Sequence, residues 1–305
     1  MAHRDDGSAP TGERRYGWVR RIGITGLSGY LGERLAVAVQ QAGHQPVDLG
    51  RSNGLDLLDP GSVQDVVMAL APDTVIHAAA AANPGRLEDS FDAVNRVGSA
   101  AVATATASIG ARLVHVSTDL VLSGRAGPYA DDAAADPLGA YGRSKAAAEA
   151  EVRRIDPTAA VVRTSIIYGL HRIDRSTAGF LDRIRRGEPL ELFTDVVRQP
   201  VWVDALAAGL VRLAVELPAV SGTLNLAGDQ ALDRAAFGRR MLAWWGLERS
   251  AFDRVVDGRA APTFPAVALD LRLGLDRARA LGLACHGVDE VLTRATLNAP
   301  PEQPA

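Results

Sequence analysis

Tyr141-Gly142-Arg143-Ser144-Lys145 places a phenol and an ammonium four residues apart. On a helix such residues share a face. A nearby cation favours the phenolate, so a tyrosine so placed can exchange a proton closer to neutral pH than its free value of about 10 allows. That is general acid–base chemistry. The spacing alone is common on helices and gains meaning from its company. Here the company is Ser117-Thr118, at the end of an apolar run, and the segment Gly26-Leu27-Ser28-Gly29-Tyr30-Leu31-Gly32.

The glycine segment follows the apolar run Arg21-Ile22-Gly23-Ile24-Thr25 and opens the periodic stretch Leu31 to Ala42. This reads as strand, turn and helix, the context of a dinucleotide fingerprint. Glycines let the backbone approach a pyrophosphate, and free N–H groups at the helix start hold its charge. The candidate contacts are Gly26, Ser28, Gly29, Tyr30, Leu31 and Gly32. The G-x-x-G-x-x-G spacing points to a particular branch of nicotinamide proteins. An NAD-preferring site carries an acid at the end of the second strand, where it accepts from the ribose 2′-OH. That strand end is expected at Leu49-Gly50-Arg51-Ser52, with no acid, and Arg51 and Ser52 suit a 2′-phosphate. NADP(H) is therefore the expected preference, with NAD(H) as the second cofactor; Asp48 would take the ribose only if the strand ended sooner.

Short β-rich runs alternate with helical ones as far as Ser165. The strands are expected at Ile22–Thr25, Pro46–Leu49, Thr74–His77, Arg112–Ser117 and Ala159–Arg163, with helices near 60–71 and 87–108 and another at Tyr141. Such alternation predicts an α/β fold, a Rossmann-type doubly wound parallel sheet with ligands beyond the carboxyl ends of its strands. Ser117-Thr118, the glycine loop and Ala78-Ala79-Ala80 all fall at such ends. The expected division is a dinucleotide-binding domain over 21–165, to which 196–228 returns through a strand at Thr223–Leu226. A smaller C-terminal substrate-binding lobe covers 166–195 and 229–297. The leader 1–20 and the proline-rich tail 298–305 are expected to be disordered.

At 305 residues the chain can bury a full core, and 47% hydrophobic with 23% charged residues is the composition of an ordinary globule. A net charge of −3 argues against an electrostatic nucleic-acid or membrane binder. Cys285 is the single cysteine, which excludes a disulfide framework and a thiolate metal cluster and suits a cytoplasmic location. No apolar run approaches the roughly 18 residues of a membrane span, and the leader lacks the apolar region of a signal peptide. No metal site is expected, and a homodimer is compatible with these features.

Together these motifs resemble the extended short-chain dehydrogenase/reductase superfamily, and within it the dTDP-4-dehydrorhamnose reductase branch. The most specific matches are Val114-His115-Val116-Ser117-Thr118-Asp119, Pro137-Leu138-Gly139-Ala140-Tyr141-Gly142-Arg143-Ser144-Lys145 and Val162-Arg163-Thr164-Ser165. The resemblance implies that Thr118, Tyr141 and Lys145 form the catalytic set. Tyr141 would donate a proton as hydride arrives, Lys145 would hold the ribose and lower the tyrosine pKa, and Thr118 would polarise the carbonyl. It further implies that Asp119 helps hold the sugar, that Asp56, with Leu57 beside it, faces the adenine, and that Ser117 and Ala78–Ala80 line the cofactor. Arg198 and Trp202 lie in a segment similar to a substrate-binding strand of sugar-nucleotide epimerases. Arg198 is the expected diphosphate ligand, with Arg172 and Arg175 next. The sequence departs from the branch at Leu120 and Leu122, where aromatic residues are usual, at Ala81-Ala82-Asn83-Pro84-Gly85-Arg86, and at Gly139.

The implied activity is NADP(H)-dependent reduction of a nucleotide-linked 4-keto-6-deoxysugar. Two other readings are an epimerase or dehydratase of the same superfamily, and a cofactor-binding regulatory subunit resembling that of methionine adenosyltransferase. His77 and His115 are expected to be packed residues, Asn95 to brace the cofactor strands, Trp244-Trp245 to be lobe core, and Asp276 to cap a helix.

Overall fold

Six short runs rich in β-branched residues pair side by side in parallel: β1 (Arg21–Thr25), β2 (Gln45–Asp48), β3 (Thr74–His77), β4 (Arg112–Thr118), β5 (Ala160–Thr164) and, late in the chain, β10 (Gly222–Asn225). The computed structural model describes residues 19–82, 88–263 and 267–298. The sheet order is β10-β5-β4-β3-β1-β2. From β1 the chain goes outward to β2 and then back across to β3, so the order reverses between β1 and β3, where a doubly wound sheet opens its ligand crevice.

Alternation along the strands sends neighbouring residues to opposite faces. Ile22, Ile24, Ile76, Val114, Val162 and Leu224 pack on one face with α1 (Tyr30–Gln41) and α7 (Val203–Val215). Val47, Val75, Leu113 and Val161 pack on the other with α2 (Pro60–Leu70), α4 (Gly98–Ser108) and α5 (Ala140–Ile155). Both faces are covered, which is why the strands read as continuous apolar runs.

The remaining elements form small two-stranded sheets and helices beside this layer. β6 (Ile167–Tyr168) pairs with β9 (Val201–Trp202), β7 (Leu190–Phe193) with β12 (Val255–Gly258), and β8 (Val197–Arg198) with β11 (Leu232–Asp233). Helices α6 (Arg175–Arg185), α8 (Arg234–Trp244) and α11 (Val288–Asn298) accompany them, with short α9 (Ala260–Thr263) and α10 (Asp276–Ala280) between. Trp244 and Trp245 pack against the cores of this region, as the sequence suggested.

Three expectations are corrected. The second strand ends at Asp48, not beyond Leu49, because the chain turns at Gly50 into a 3₁₀ turn at Arg51–Asn53. The long helix after β3 is α3 (Glu88–Phe91) and α4 joined by a π-helical turn, Asp92–Val97. Asp276 is the first residue of α10 and not its cap; its exposed carboxylate pairs with Arg279 at 3.2 Å. The expected disorder of the leader and the tail lies outside the described residues except at 19–20 and at Asn298, which ends α11, and the departure at Asn83 to Arg86 lies outside them as well.

Candidate active site

The glycine loop meets the strand on the other side of the reversal. Gly26 has φ +72°, and a Cβ there would lie 2.9 Å from the Cα of Ala79, so only glycine combines this turn with this approach. The Ala79 amide donates to Thr25 Oγ1 at 3.2 Å, which ties the end of β1 to the segment after β3. Gly29 precedes α1 with no side-chain cap, leaving the helix start to a ligand acceptor. This arrangement fits a pyrophosphate held by Gly26, Ser28, Gly29, Leu31 and Gly32, with Ala78–Ala80 alongside. The Tyr30 ring turns elsewhere. Its hydroxyl donates to the Arg172 carbonyl at 2.9 Å and the Arg172 guanidinium lies 5.4 Å above the ring.

Beyond β2, the Asp48 carboxylate accepts from the Ser52 hydroxyl, and Asn53 Nδ2 donates to the Asp48 carbonyl at 2.9 Å. The acid that ends the strand is thus engaged within its own turn, with exposed Arg51 beside it. Asp56 accepts from the Leu58 amide at 3.1 Å, and Leu57 packs against the start of α4 at Gly98.

Asn95, in the π turn, accepts from the Ala81 amide at 2.8 Å and donates to the Ala81 carbonyl at 3.0 Å and to Ser144 Oγ at 2.9 Å. It links the segment after β3 to α5, the bracing role expected of it. The extra residue of the π turn lets this side chain face inward between two α-helical stretches.

The catalytic candidates come from β4 and α5. A Cβ at Gly142 would strike the Leu120 carbonyl, and this close approach brings the start of α5 against the end of β4. Thr118 Oγ1 accepts from the Leu120 amide and donates to Asp119 Oδ1, both at 3.2 Å. The Tyr141 ring packs edge-on against Phe91, with centroids 6.0 Å apart. Buried Lys145 donates to the Val116 carbonyl at 2.7 Å and lies 3.2 Å from His115 Nε2.

Electrostatics overturns one expectation. The Tyr141 phenol is not lowered: burial, and then the Asp119 carboxylate, push it up to about 12, with Arg198 opposing. Lys145 does not act on it because its ammonium is drawn to Val116 and His115. Burial brings Lys145 down to about 8, against the opposing pull of Glu149.

Glu149, which sequence reasoning did not single out, and His115, expected only to be packed, both contact the candidate residues. Glu149 continues the Tyr141–Lys145 face by four residues, and that spacing was the available signal. It is fully buried, accepts from Ser117 Oγ at 2.6 Å and pairs with Arg163 at 2.8 Å. Ser117, expected to line the cofactor, therefore turns its hydroxyl to Glu149. His115 is packed against His77, ring centroids 5.2 Å apart, but it also touches Lys145. Burial, then Lys145, holds its imidazole well below its ordinary value. Its Nε2 therefore accepts from Lys145, leaving the proton on Nδ1. His77 is held by Thr25 at 2.6 Å and Ser99 at 2.9 Å.

Asp119 is buried, accepts from Ser165 Oγ at 2.6 Å and receives a forked pair of bonds from Arg198, the Nε arm at 2.7 Å. The two residues expected to face substrate hold each other. Trp202, with Arg34, Val37, His171 and Asp204, lines a cavity against α1. Arg172 pairs with Glu33, and Arg175 opens α6.

Residues 20–268 match the family described as RmlD substrate binding domain. A dTDP-4-keto-6-deoxy-D-glucose reductase of Streptomyces niveus is 36% identical over 199 residues, 62% of this chain and 67% of that protein. A dTDP-4-dehydrorhamnose reductase of Mycobacterium tuberculosis is 34% identical over 203 residues, 64% of this chain and 66% of that protein. Among solved structures, dTDP-4-dehydrorhamnose reductase of Bacillus anthracis in complex with NADP superposes with a TM-score of 0.80 at 23% identity, covering 92% of this chain and 100% of the other.

Proposed function

The chain belongs to the RmlD substrate binding domain family, and from that premise we propose that it reduces the 4-keto group of a nucleotide-linked 6-deoxysugar, preferring NADP(H) to NAD(H). The observation that carries this is the approach of α5, which bears Tyr141 and Lys145, to the end of β4, which bears Thr118: Gly142 lies against the Leu120 carbonyl and Lys145 donates to the Val116 carbonyl, on the sheet whose crevice Gly26 and Ala79 close. The names of the Streptomyces and Mycobacterium relatives support the substrate class, and the NADP of the Bacillus structure supports the cofactor.

The nicotinamide, when bound, supplies the hydride. The protein's residues position the carbonyl and supply the proton. Thr118 turns its hydroxyl from Asp119 to the carbonyl oxygen and draws charge onto it. Tyr141, whose phenol keeps its proton throughout the neutral range, gives it to the oxygen as that oxygen becomes an alkoxide, a far stronger base than phenolate. Lys145 has three donors and two are used, by His115 and Val116. The third is available to a ribose hydroxyl. Arg51 supplies a cation for a 2′-phosphate, while Asp48 is engaged by Ser52.

A dehydratase needs an acid free to act beside the threonine, and Asp119 is held by Arg198 and Ser165. A purely regulatory cofactor-binding role would not require Thr118, Tyr141 and Lys145 together. A cytoplasmic location belongs to the same proposal, supported by the single cysteine, a buried free thiol. No helix among the described residues is long and apolar enough to cross a membrane. NADPH oxidation against a panel of nucleotide 4-keto sugars tests the proposal: oxidation dependent on a 4-keto-6-deoxysugar supports it, and oxidation with none of them contradicts it.

A further inference from the structure

β11 runs antiparallel to β8, with Leu232 opposite Arg198 and Asp233 opposite Val197, and the Arg234 amide donates to the Val196 carbonyl at 2.9 Å. This pairing delivers Arg234, the first residue of α8, to the neighbourhood of the Arg198–Asp119 pair. The same pair acts on the Tyr141 phenol and on the Arg234 guanidinium. By geometry, Arg234 adjoins the strand that carries Arg198, and Arg198 in turn holds Asp119 at the end of β4, next to Thr118.

The carboxylates around Arg234 are engaged elsewhere. Asp233 caps α8 by accepting from the Ala236 amide at 2.6 Å. Asp174 caps α6, accepting from the amides of Ser176 and Thr177 at 2.9 and 3.0 Å and from the Thr177 hydroxyl at 2.5 Å. Asp119 is held by Arg198 and Ser165. Other lobe arginines have direct partners: Arg240 pairs with Asp289 at 2.6 Å and Arg272 with Asp270 at 2.6 Å. Among the described residues no carboxylate pairs with Arg234. Burial, and then the neighbouring Arg198, push its guanidinium down to about 10. A part-buried cation beside a second cation is less favourable without an anion than with one.

We propose that Arg234 binds the diphosphate of the nucleotide-sugar substrate through forked donation to the phosphate oxygens, an assignment that rests on the nucleotide-sugar reading. A planar fork matches two phosphate oxygens in a way that a point charge does not. Arg198, expected from sequence to be that ligand, instead fixes Asp119 and adds positive charge beside the fork.

The test is calorimetric titration of the full, NADPH-loaded chain with thymidine diphosphate and uridine diphosphate. The wild type binds at least one of them, and Arg234→Gln weakens that binding by about tenfold or more while NADPH affinity is unchanged. Arg234→Lys keeps the charge but loses the fork, and weakens binding several-fold. Wild-type affinity in Arg234→Gln overturns the assignment; should that variant not fold, wild-type affinity in Arg234→Lys overturns the forked contact. If the wild type binds NADPH but neither diphosphate, the nucleotide-sugar reading itself fails and takes the assignment with it.

Discussion

The Nζ atom of Lys145 rests 3.2 Å from Nε2 of His115, a buried imidazole held neutral by its surroundings. The ammonium thus sits on a neutral acceptor and a backbone carbonyl, with Glu149 as the carboxylate that raises its proton affinity. This parks the lysine under the end of β4 and leaves the Tyr141 phenol to be set by burial and Asp119.

That placement has a pH signature in the cofactor-free protein. Lys145 is near 8 in the fold against about 10.5 in the unfolded chain. Between those values the native state has released this proton and the unfolded state still holds it, so this group alone makes stability rise with pH. Unfolding free energies of wild type and Lys145→Met, compared from pH 7 to 10, should diverge above pH 8 in favour of the wild type. The slope should be on the order of 1 kcal/mol per pH unit. A constant difference would show that Lys145 stays charged across the range.

Glu149 acts on Lys145 by charge alone but holds three other residues directly. Its carboxylate receives Arg163, Ser117 and Arg153, and both Glu149 and Arg163 are buried. Glu149→Gln leaves Arg163 without its counter-charge and should cost about 3–5 kcal/mol of stability. Urea denaturation measures it. A loss below about 1 kcal/mol would mean that Arg163 finds another partner.

Cofactor choice turns on the turn after β2. Arg51→Ala should lower the preference for NADPH over NADH several-fold, read as a ratio of kcat/KM values, with little change for NADH. A wild-type enzyme that uses NADH as well as NADPH would instead give the ribose contact to Asp48.

The sheet and the cofactor crevice were legible because strand periodicity and glycine spacing are local properties. Residues such as Ile22, Val75 and Val162 announce buried strands, and Gly26 announces a tight turn, without knowledge of partners. Tyr141 and Lys145 were legible for the same reason, as two positions of one helix. What local pattern could not convey was long-range partnership. Asp119 and Arg198 lie 79 positions apart and pair with each other, a partnership that no local pattern announces. Strand register sets His115 beside His77, and only packing of α5 on β4 brings Lys145 to it. Arg234 carried no motif at all; its significance comes from the β8–β11 pairing and the engagement of every carboxylate nearby. The end of β2 was misplaced by a residue or more because Leu49 is as buried as a strand residue although the strand has ended.

The most direct measurement is single-turnover NADPH oxidation by wild type and Tyr141→Phe with a nucleotide 4-keto-6-deoxysugar that the wild type reduces. Proton donation by a positioned acid is worth about 10²–10⁴-fold. The variant should therefore lose at least two orders of magnitude in rate while its NADPH affinity stays close to that of the wild type. A rate near that of the wild type would show that the proton comes from elsewhere and would contradict the catalytic role of Tyr141.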